Sequence, residues 1–432
     1  MRFIVRGGHI LKGEIDVRGS KNAATKMMIA SLLTDEECIL ENFPVIGDTE
    51  ITKELCEHIG ATVTIANGVA RLQTSEVKNY QVTQLTRKNR IPILALGPLL
   101  NRVGKAEVPV LGGDKIGARP VDMHLDGLKQ LGAEISSDEH YFYARAPHGL
   151  KGANITLRYP SVGATENLIL ASVLAKGKTV IHNAAVEPEI MDLILLLQKM
   201  GAIIGLGSDR TITIDGVERL HGARHRILPD RNEAVSFACL GLVFPGNAVK
   251  VKNARQSDLI TFLNAVRRIG GEYRIENDGI TFYRTKDLIA NELETDTHPG
   301  FMTDWQQPFL ILLTQAHGTS VLHETVYEDR FGYTEDLSAM GAHITVFAKC
   351  LGELPCRFNG QGHPHSAVIS GPTQLSGMTL KVRDLRAGMA HLIAALIADG
   401  DSIIEGIEEL DRGYEEIDTR LRQLGANITR MA

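Results

Sequence analysis

Seven bases stand at corresponding places along a chain whose formal net charge is −6: Lys21, Arg90, Arg119, Arg231, Arg330, Arg386 and Arg412. Each precedes or opens a helical pattern, where the helix macrodipole opposes positive charge, so such a side chain calls for a compensating anion. Arginine grips phosphate or carboxylate through paired hydrogen bonds. Singly, each base reads equally well as a solvated charge. Seven in equivalent turns predict an anion-lined cleft between two domains, built locally because the overall charge attracts no anion. Leu111 to Pro120 adds Gly112, Gly113 and Gly117 around Asp114, Lys115 and Arg119. A glycine-rich turn feeding a helix presents free N–H groups to a phosphate-bearing ligand. Such turns are common, and this one gains weight from its company.

The elements that must position these residues repeat. An amphipathic helix ending in Gly, followed by a strand, recurs at Gly60, Gly132, Gly201, Gly270, Gly341 and Gly425, spaced 72, 69, 69, 71 and 84 residues apart. In the third unit Pro188 suits a first helical turn. Ile190, Leu193, Ile194 and Leu197 form an apolar stripe, Gly201 sits where a left-handed cap is wanted, and Thr211–Asp215 alternates as a half-buried strand. Each unit also carries an earlier, more apolar helix, beginning near Asn22, Ile91, Ala164, Asn232, Trp305 and Ala387. Apolar residues on every face mark a buried helix. The expectation is an α/β protein of two similar inverse α/β barrel-like domains, each of three units of about 70 residues, with inner helices and outer sheets. The turns before the first helices then hold Lys21-Asn22, Arg90, Ser161-Val162-Gly163, Asp230-Arg231, Asp304 and Arg386. The turns before the second hold Asp48, the Gly112–Arg119 loop, Glu187, Gln256, Arg330 and Arg412.

Composition sets outer bounds. A 432-residue chain with 44% hydrophobic and 23% charged residues is a soluble globular protein of two or three domains. Its charge argues against nucleic acid or an anionic membrane as partner. Five scattered cysteines suit reduced thiols. The opening residues lack the apolar core of a signal peptide, and uncharged runs such as Trp305 to Gly318 are too short to span a bilayer. The expected location is the cytoplasm; the oligomeric state stays open.

The motifs carry a family resemblance. Gly19-Ser20-Lys21-Asn22-Ala23, Ala95-Leu96-Gly97-Pro98-Leu99, Ile116 to Asp122, Ser161-Val162-Gly163-Ala164-Thr165, Leu228-Pro229-Asp230-Arg231, Thr303-Asp304 and Asp411-Arg412-Gly413-Tyr414 resemble, in order, those of the enolpyruvyl transferases, in the branch acting on UDP-N-acetylglucosamine. The resemblance spans essentially the whole chain. It implies a first domain of residues 22–229, with a mobile loop at 111–120, and a second of 1–21 plus 230–432. It implies transfer of the enolpyruvyl group of phosphoenolpyruvate to the 3′-hydroxyl of UDP-N-acetylglucosamine with release of phosphate, the first committed step of peptidoglycan synthesis, with no metal or organic cofactor. Position by position, Lys21, Asn22, Arg119, Arg386 and Arg412 would hold phosphoenolpyruvate. Arg90, Arg119, Pro120, Val121, Asp122, Met123, Ser161, Val162, Gly163, Val326 and Arg330 would hold the nucleotide sugar. Asp304 would face the sugar hydroxyl as base or orienting group, and Asp230-Arg231 would support the cleft. Lys21, Asp114, Asp304 and Arg412 make up the catalytic set.

Three departures qualify that reading. Asp114 stands where many relatives place cysteine; as acid or product-release residue it needs a pKa above the usual carboxylate range. Because a carboxylate is a poorer partner than a thiolate for the epoxide fosfomycin, resistance is expected. Tyr159-Pro160 replaces a lysine and a small apolar residue, so one contact to the nucleotide is expected to be lost or replaced by Arg158. An insertion over residues 350–373 holds Cys350, Cys356, His363 and His365; four potential ligands invite a zinc reading. Their spacing matches no standard site and Pro364 stiffens the two histidines, so a surface loop is expected and no metal. The rival functions are transfer to shikimate 3-phosphate and a non-catalytic nucleotide-sugar-binding paralogue.

Overall fold

Helices that are apolar on every face cannot lie on a surface, and the protein buries them at the centre of two units. The computed structural model describes residues 1–82, 85–86, 90–110, 120–353 and 356–432. One unit comprises residues 19–110 with Pro120–Leu228, the other Met1–Arg18 with Pro229–Ala432.

The first unit holds α1 (Lys21–Ala30), α2 (Gly47–Ile59), α3 (Leu96–Val103), α4 (Asp122–Gln130), α5 (Val162–Ser172) and α6 (Pro188–Lys199). Its described residues form three sheets. In two of them a parallel pair is extended by antiparallel strands. Asn154–Thr156 runs parallel to Lys178–His182, and Arg224–Arg226 returns from the end of the unit to pair with Cys38–Glu41. The helix α5 is buried from Ala164 to Ser172, whereas α2 and α6 bury one face and expose the other.

The second unit holds α7 (Arg231–Val243), α8 (Ile260–Arg268), α9 (Gln306–Thr314), α10 (Thr334–Ala339), α11 (Leu385–Ile397), α12 (Glu408–Asp411) and α13 (Ile417–Gln423). Here α7, α9 and α11 pack on one another, and every residue of α7 and α9 is buried. The start of the chain belongs to this unit. Arg2–Arg6 lies between Asp401–Glu405 and Asn427–Met431, and Lys12–Asp16 pairs with Ala248–Lys252. A strand flanked on both sides, with Phe3 and Val5 fully buried, makes the first residues integral to the core.

The six marker glycines follow α2, α4, α6, α8, α10 and α13. All six have positive φ, from 83° at Gly270 to 127° at Gly60, the left-handed backbone that lets a helix stop and turn into a strand.

The polar residues of the buried helices cluster at their N-terminal ends: Arg231, Asn232 and Glu233 of α7, Gln306 and Gln307 of α9, Arg386 of α11, and Thr165, Glu166 and Asn167 of α5. Burying a polar group is costly unless it is paired, so these ends are where partner networks or ligands belong.

Candidate active site

Asp304 lies in a single 3-10 turn, Thr303–Trp305, leading into α9. The turn is anchored from behind. Trp305 is buried, its ring 5.5 Å from Phe301 and 6.0 Å from Phe262 in edge contacts, and its Nε1 donates to Asn232 Oδ1 at 2.9 Å. With Trp305 fixed, the Asp304 carboxylate is held at both oxygens. Arg330 Nη2 donates to Oδ1 at 2.7 Å and Arg386 Nε to Oδ2 at 3.2 Å. Arg386 also donates to the buried hydroxyl of Tyr414 at 3.1 Å, which in turn meets Ser236 Oγ at 2.8 Å. Burial works against both guanidinium charges. For Arg330 it is outweighed by Asp304, Asp384 and Glu324, and for Arg386 by Tyr414, Asp304 and Asp230, so both stay firmly protonated. Arg386 sits in the first turn of α11, where Asp384 caps the helix by accepting from the backbone N–H groups of Arg386 and Ala387. That acid offsets the conflict between a base and the positive end of a helix.

Glu324, fully buried, organises the surroundings. One carboxylate oxygen accepts from Thr303 Oγ1 at 2.9 Å and Gln306 Nε2 at 2.7 Å. The other accepts from the backbone N–H groups of Val326 and Tyr327 at 2.8 and 3.0 Å. A single carboxylate thereby ties the Asp304 turn to the segment leading to Arg330. Arg412 lies in the same unit, at the C-terminal cap of α12, 2.7 Å from Glu409. It lies in the turn between α12 and α13, ahead of the amphipathic helix that leads to Gly425, which is its expected place before a second helix.

In the other unit Lys21 opens α1 and its Nζ lies 2.9 Å from Asp48 Oδ2, in the first turn of α2. Asn22 follows, half-buried. Deeper in, Lys26 Nζ lies 3.9 Å from Glu166 Oε2, and neither Glu166 oxygen accepts a hydrogen bond among the described residues. Burial pushes the Glu166 carboxyl up to about 7; Lys26 opposes the shift, and Glu189 and Glu187 add to it. Burial likewise lowers Lys26.

The residues expected to hold a nucleotide sugar fall into two groups. Arg90 caps the 3-10 turn Ile91–Ala95. Pro120 to Met123 lead into α4, and Ser161 to Gly163 open α5, where Ser161 Oγ accepts from Ala164 N at 3.4 Å. These two helix starts adjoin. Asn167 Nδ2 lies 3.2 Å from His124 Nδ1, and a Cβ on Gly163 would come within 3.1 Å of the His124 ring. Burial drives His124 down to about 3, with Arg90 adding to the effect, so this ring is neutral at physiological pH. Arg158 pairs with Asp122, and that hydrogen bond, more than any other influence, lowers the Asp122 carboxyl. Val326 and Arg330 belong to the unit that carries Asp304. Asp114 and Arg119 lie outside the described residues, as do the other residues of 111–119.

Sequence reasoning passed over Glu324, Glu166 and Lys26, whose roles rest on pairings distant along the chain, and Asp384, which caps α11 locally. It also passed over His323. The structure gathers Cys350, Cys356 and His365 of the insertion around His323, with all four ligand atoms within 4.8 Å of one another. His363 is not of that group, and the segment is more than the plain surface loop expected.

The sequence profile of the EPSP synthase (3-phosphoshikimate 1-carboxyvinyltransferase) family matches residues 5–421, and the chain belongs to that family. It is 50% identical to the UDP-N-acetylglucosamine 1-carboxyvinyltransferase of Protochlamydia amoebophila (strain UWE25), over 98% of this chain and 93% of the relative. It is 51% identical to the protein of the same name from Chlamydia pneumoniae, over 97% and 92%. Among solved structures, the enolpyruvyl transferase NikO from Streptomyces tendae superposes with a TM-score of 0.87 at 22% identity, covering 100% of this chain and 98% of that one. EPSP synthase from Acinetobacter baumannii does so at 0.72 and 15%, covering 100% of both.

The buried Glu166 makes a pH prediction. Its native pKa lies above the unfolded value, so between about pH 4.5 and 7 the native state keeps a proton that the unfolded chain has released. Its contribution is complete below that window and is lost as pH rises through it. Relative to Glu166→Gln, the wild type should lose stability between about pH 4.5 and pH 7 in urea titrations; parallel pH curves for the two proteins would contradict this.

Proposed function

We propose that this chain transfers the enolpyruvyl group of phosphoenolpyruvate to the 3′-hydroxyl of UDP-N-acetylglucosamine and releases phosphate, the first committed step of peptidoglycan synthesis. The observation that carries the reading is the near-complete alignment, at about half of all positions, with enzymes named for that reaction. The Asp304 geometry fits the chemistry. A proton adds to the methylene carbon of phosphoenolpyruvate while the sugar oxygen bonds to the adjacent carbon and its proton passes to a base. The tetrahedral adduct then returns a proton from the new methyl group and breaks its C–O bond to phosphate.

In this scheme Asp304 receives or orients the hydroxyl proton, its oxygens fixed by Arg330 and Arg386. Lys21, Asn22, Arg119, Arg386 and Arg412 grip phosphoenolpyruvate, whose charge explains the basic residues. Arg90, Pro120 to Met123, Ser161 to Gly163, Val326 and Arg330 hold the nucleotide sugar. The N–H groups at the start of α4 suit a diphosphate. Asp114 supplies the proton to carbon or governs product release. We further read the two units as inverse barrel-like domains of three repeats each, supported by three sheets per unit among the described residues and by the six positive-φ glycines. The reaction is placed in the cytoplasm, in keeping with five free cysteines.

A second reading, transfer to shikimate 3-phosphate, is favoured by the description of the matched family. The structurally similar EPSP synthase, however, shares only 15% of its sequence with this chain. Phosphate release from phosphoenolpyruvate, measured with each acceptor in turn, separates the readings. Release is expected with UDP-N-acetylglucosamine alone; release only with shikimate 3-phosphate, or with neither, would overturn the assignment. Fosfomycin should leave the rate unchanged after prolonged incubation. Time-dependent covalent inactivation at Asp114, detected by mass spectrometry, would contradict that resistance.

A further inference from the structure

His323, from one strand, and Cys350, Cys356 and His365, from the 350–373 insertion, bring their ligand atoms within 4.8 Å of one another. His323 ends the strand Ala316–His323 and His365 immediately precedes Ser366–Gly371. Those strands are antiparallel, with His323 opposite Ser366, so the two imidazoles emerge side by side, ring centroids 5.1 Å apart. Cys350 follows the strand His343–Phe347 on the far side of Ser366–Gly371. Cys356 opens a turn in which the Phe358 N–H points at its sulfur, 3.3 Å away.

The partners of the outward-facing ring atoms are those of metal ligands. His365 Nδ1 lies 2.5 Å from the His363 carbonyl, to which only an N–H can donate. That fixes the tautomer and turns the Nε2 lone pair inward, where Cys350 Sγ lies 3.2 Å away. His323 Nδ1 meets Ser366 Oγ at 2.7 Å. Its Nε2, on a fully buried side chain, has no hydrogen-bond partner among the described residues. An orphaned buried nitrogen is costly and demands an explanation. Metal-bound histidines commonly hold their second nitrogen on a carbonyl or other polar group in this way.

We propose that these four residues bind one zinc ion in a closed, tetrahedral Cys2His2 site of structural character. Two thiolates and two imidazoles are a donor set that selects zinc over hard cations, and four protein ligands leave no position open for catalysis. The ion fastens the 350–373 insertion to the strand ends beside Glu324, whose backbone N–H donates to the His365 carbonyl at 2.7 Å. Arg357, next to Cys356, donates to the Val326 carbonyl. The site thus braces, from behind, the segment that carries Val326 and Arg330.

The test is elemental analysis of the full-length protein, expressed with added zinc and purified with its thiols reduced. About one zinc per chain is expected. His323→Ala and Cys356→Ser should each lower the content at least about tenfold, since losing even a group that only supports a ligand costs that much in metal affinity, whereas His363→Ala, outside the cluster, should keep it. Alkylation of the native wild type provides a readout independent of variant folding: Cys350 and Cys356 should be protected until a strong chelator removes the ion. A metal-free protein whose two thiols are freely alkylated, a Cys350–Cys356 disulfide in its place, or zinc retained in both ligand variants would each overturn the site.

Discussion

One carboxylate shared by two buried guanidinium groups sets the character of this molecule. Arg330 and Arg386 are almost entirely removed from water, and a charge so placed is stable only against a well-aligned partner. Asp304 supplies it at 2.7 and 3.2 Å. Removing that carboxylate would take from both guanidinium groups the acid they are directly paired with, at a cost on the scale of about 3–5 kcal/mol for a broken buried pair. A substrate anion adds to an arrangement that is already rigid, which is the condition for electrostatic preorganisation.

The fold makes this arrangement possible by burying whole helices. Because α7, α9 and α11 are enclosed on all sides, their first turns have no solvent to pair with, and they are completed by side chains of distant elements or of the helix's own cap. Asn232 holds Trp305, Glu324 holds Gln306, and Asp384 caps the turn that carries Arg386. The first unit applies the same rule with different residues: Asp48 meets Lys21 and Asn167 meets His124. The functional groups are thus fixed by the packing that stabilises each unit.

Much of this was legible from local pattern. Apolar periodicity located the buried and amphipathic helices, and the glycines predicted to end the latter all adopt positive φ. The bases at helix starts were visible because Lys21, Arg231 and Arg386 stand just before or within apolar runs. What stayed hidden was pairing over long separations. Glu324 looks like any acid at the end of a strand until its carboxylate is seen to join Thr303 with Tyr327. His323 lies on a strand 27 residues before Cys350, so no ligand-spacing rule joins it to the insertion, and His363 was the nearer but wrong companion for His365. The extra helix α12 ahead of Arg412 stayed hidden because its four residues are too few to announce themselves by periodicity.

The central claim is that Asp304, held by two arginines, handles the acceptor hydroxyl proton. It is tested most directly by steady-state kinetics and substrate affinity of Asp304→Asn, an isosteric change that keeps the hydrogen-bonding shape and removes the charge. The account predicts a fall in kcat of about 10²–10⁴-fold, with the Kd for UDP-N-acetylglucosamine changed far less. Turnover within a few-fold of wild type would contradict it.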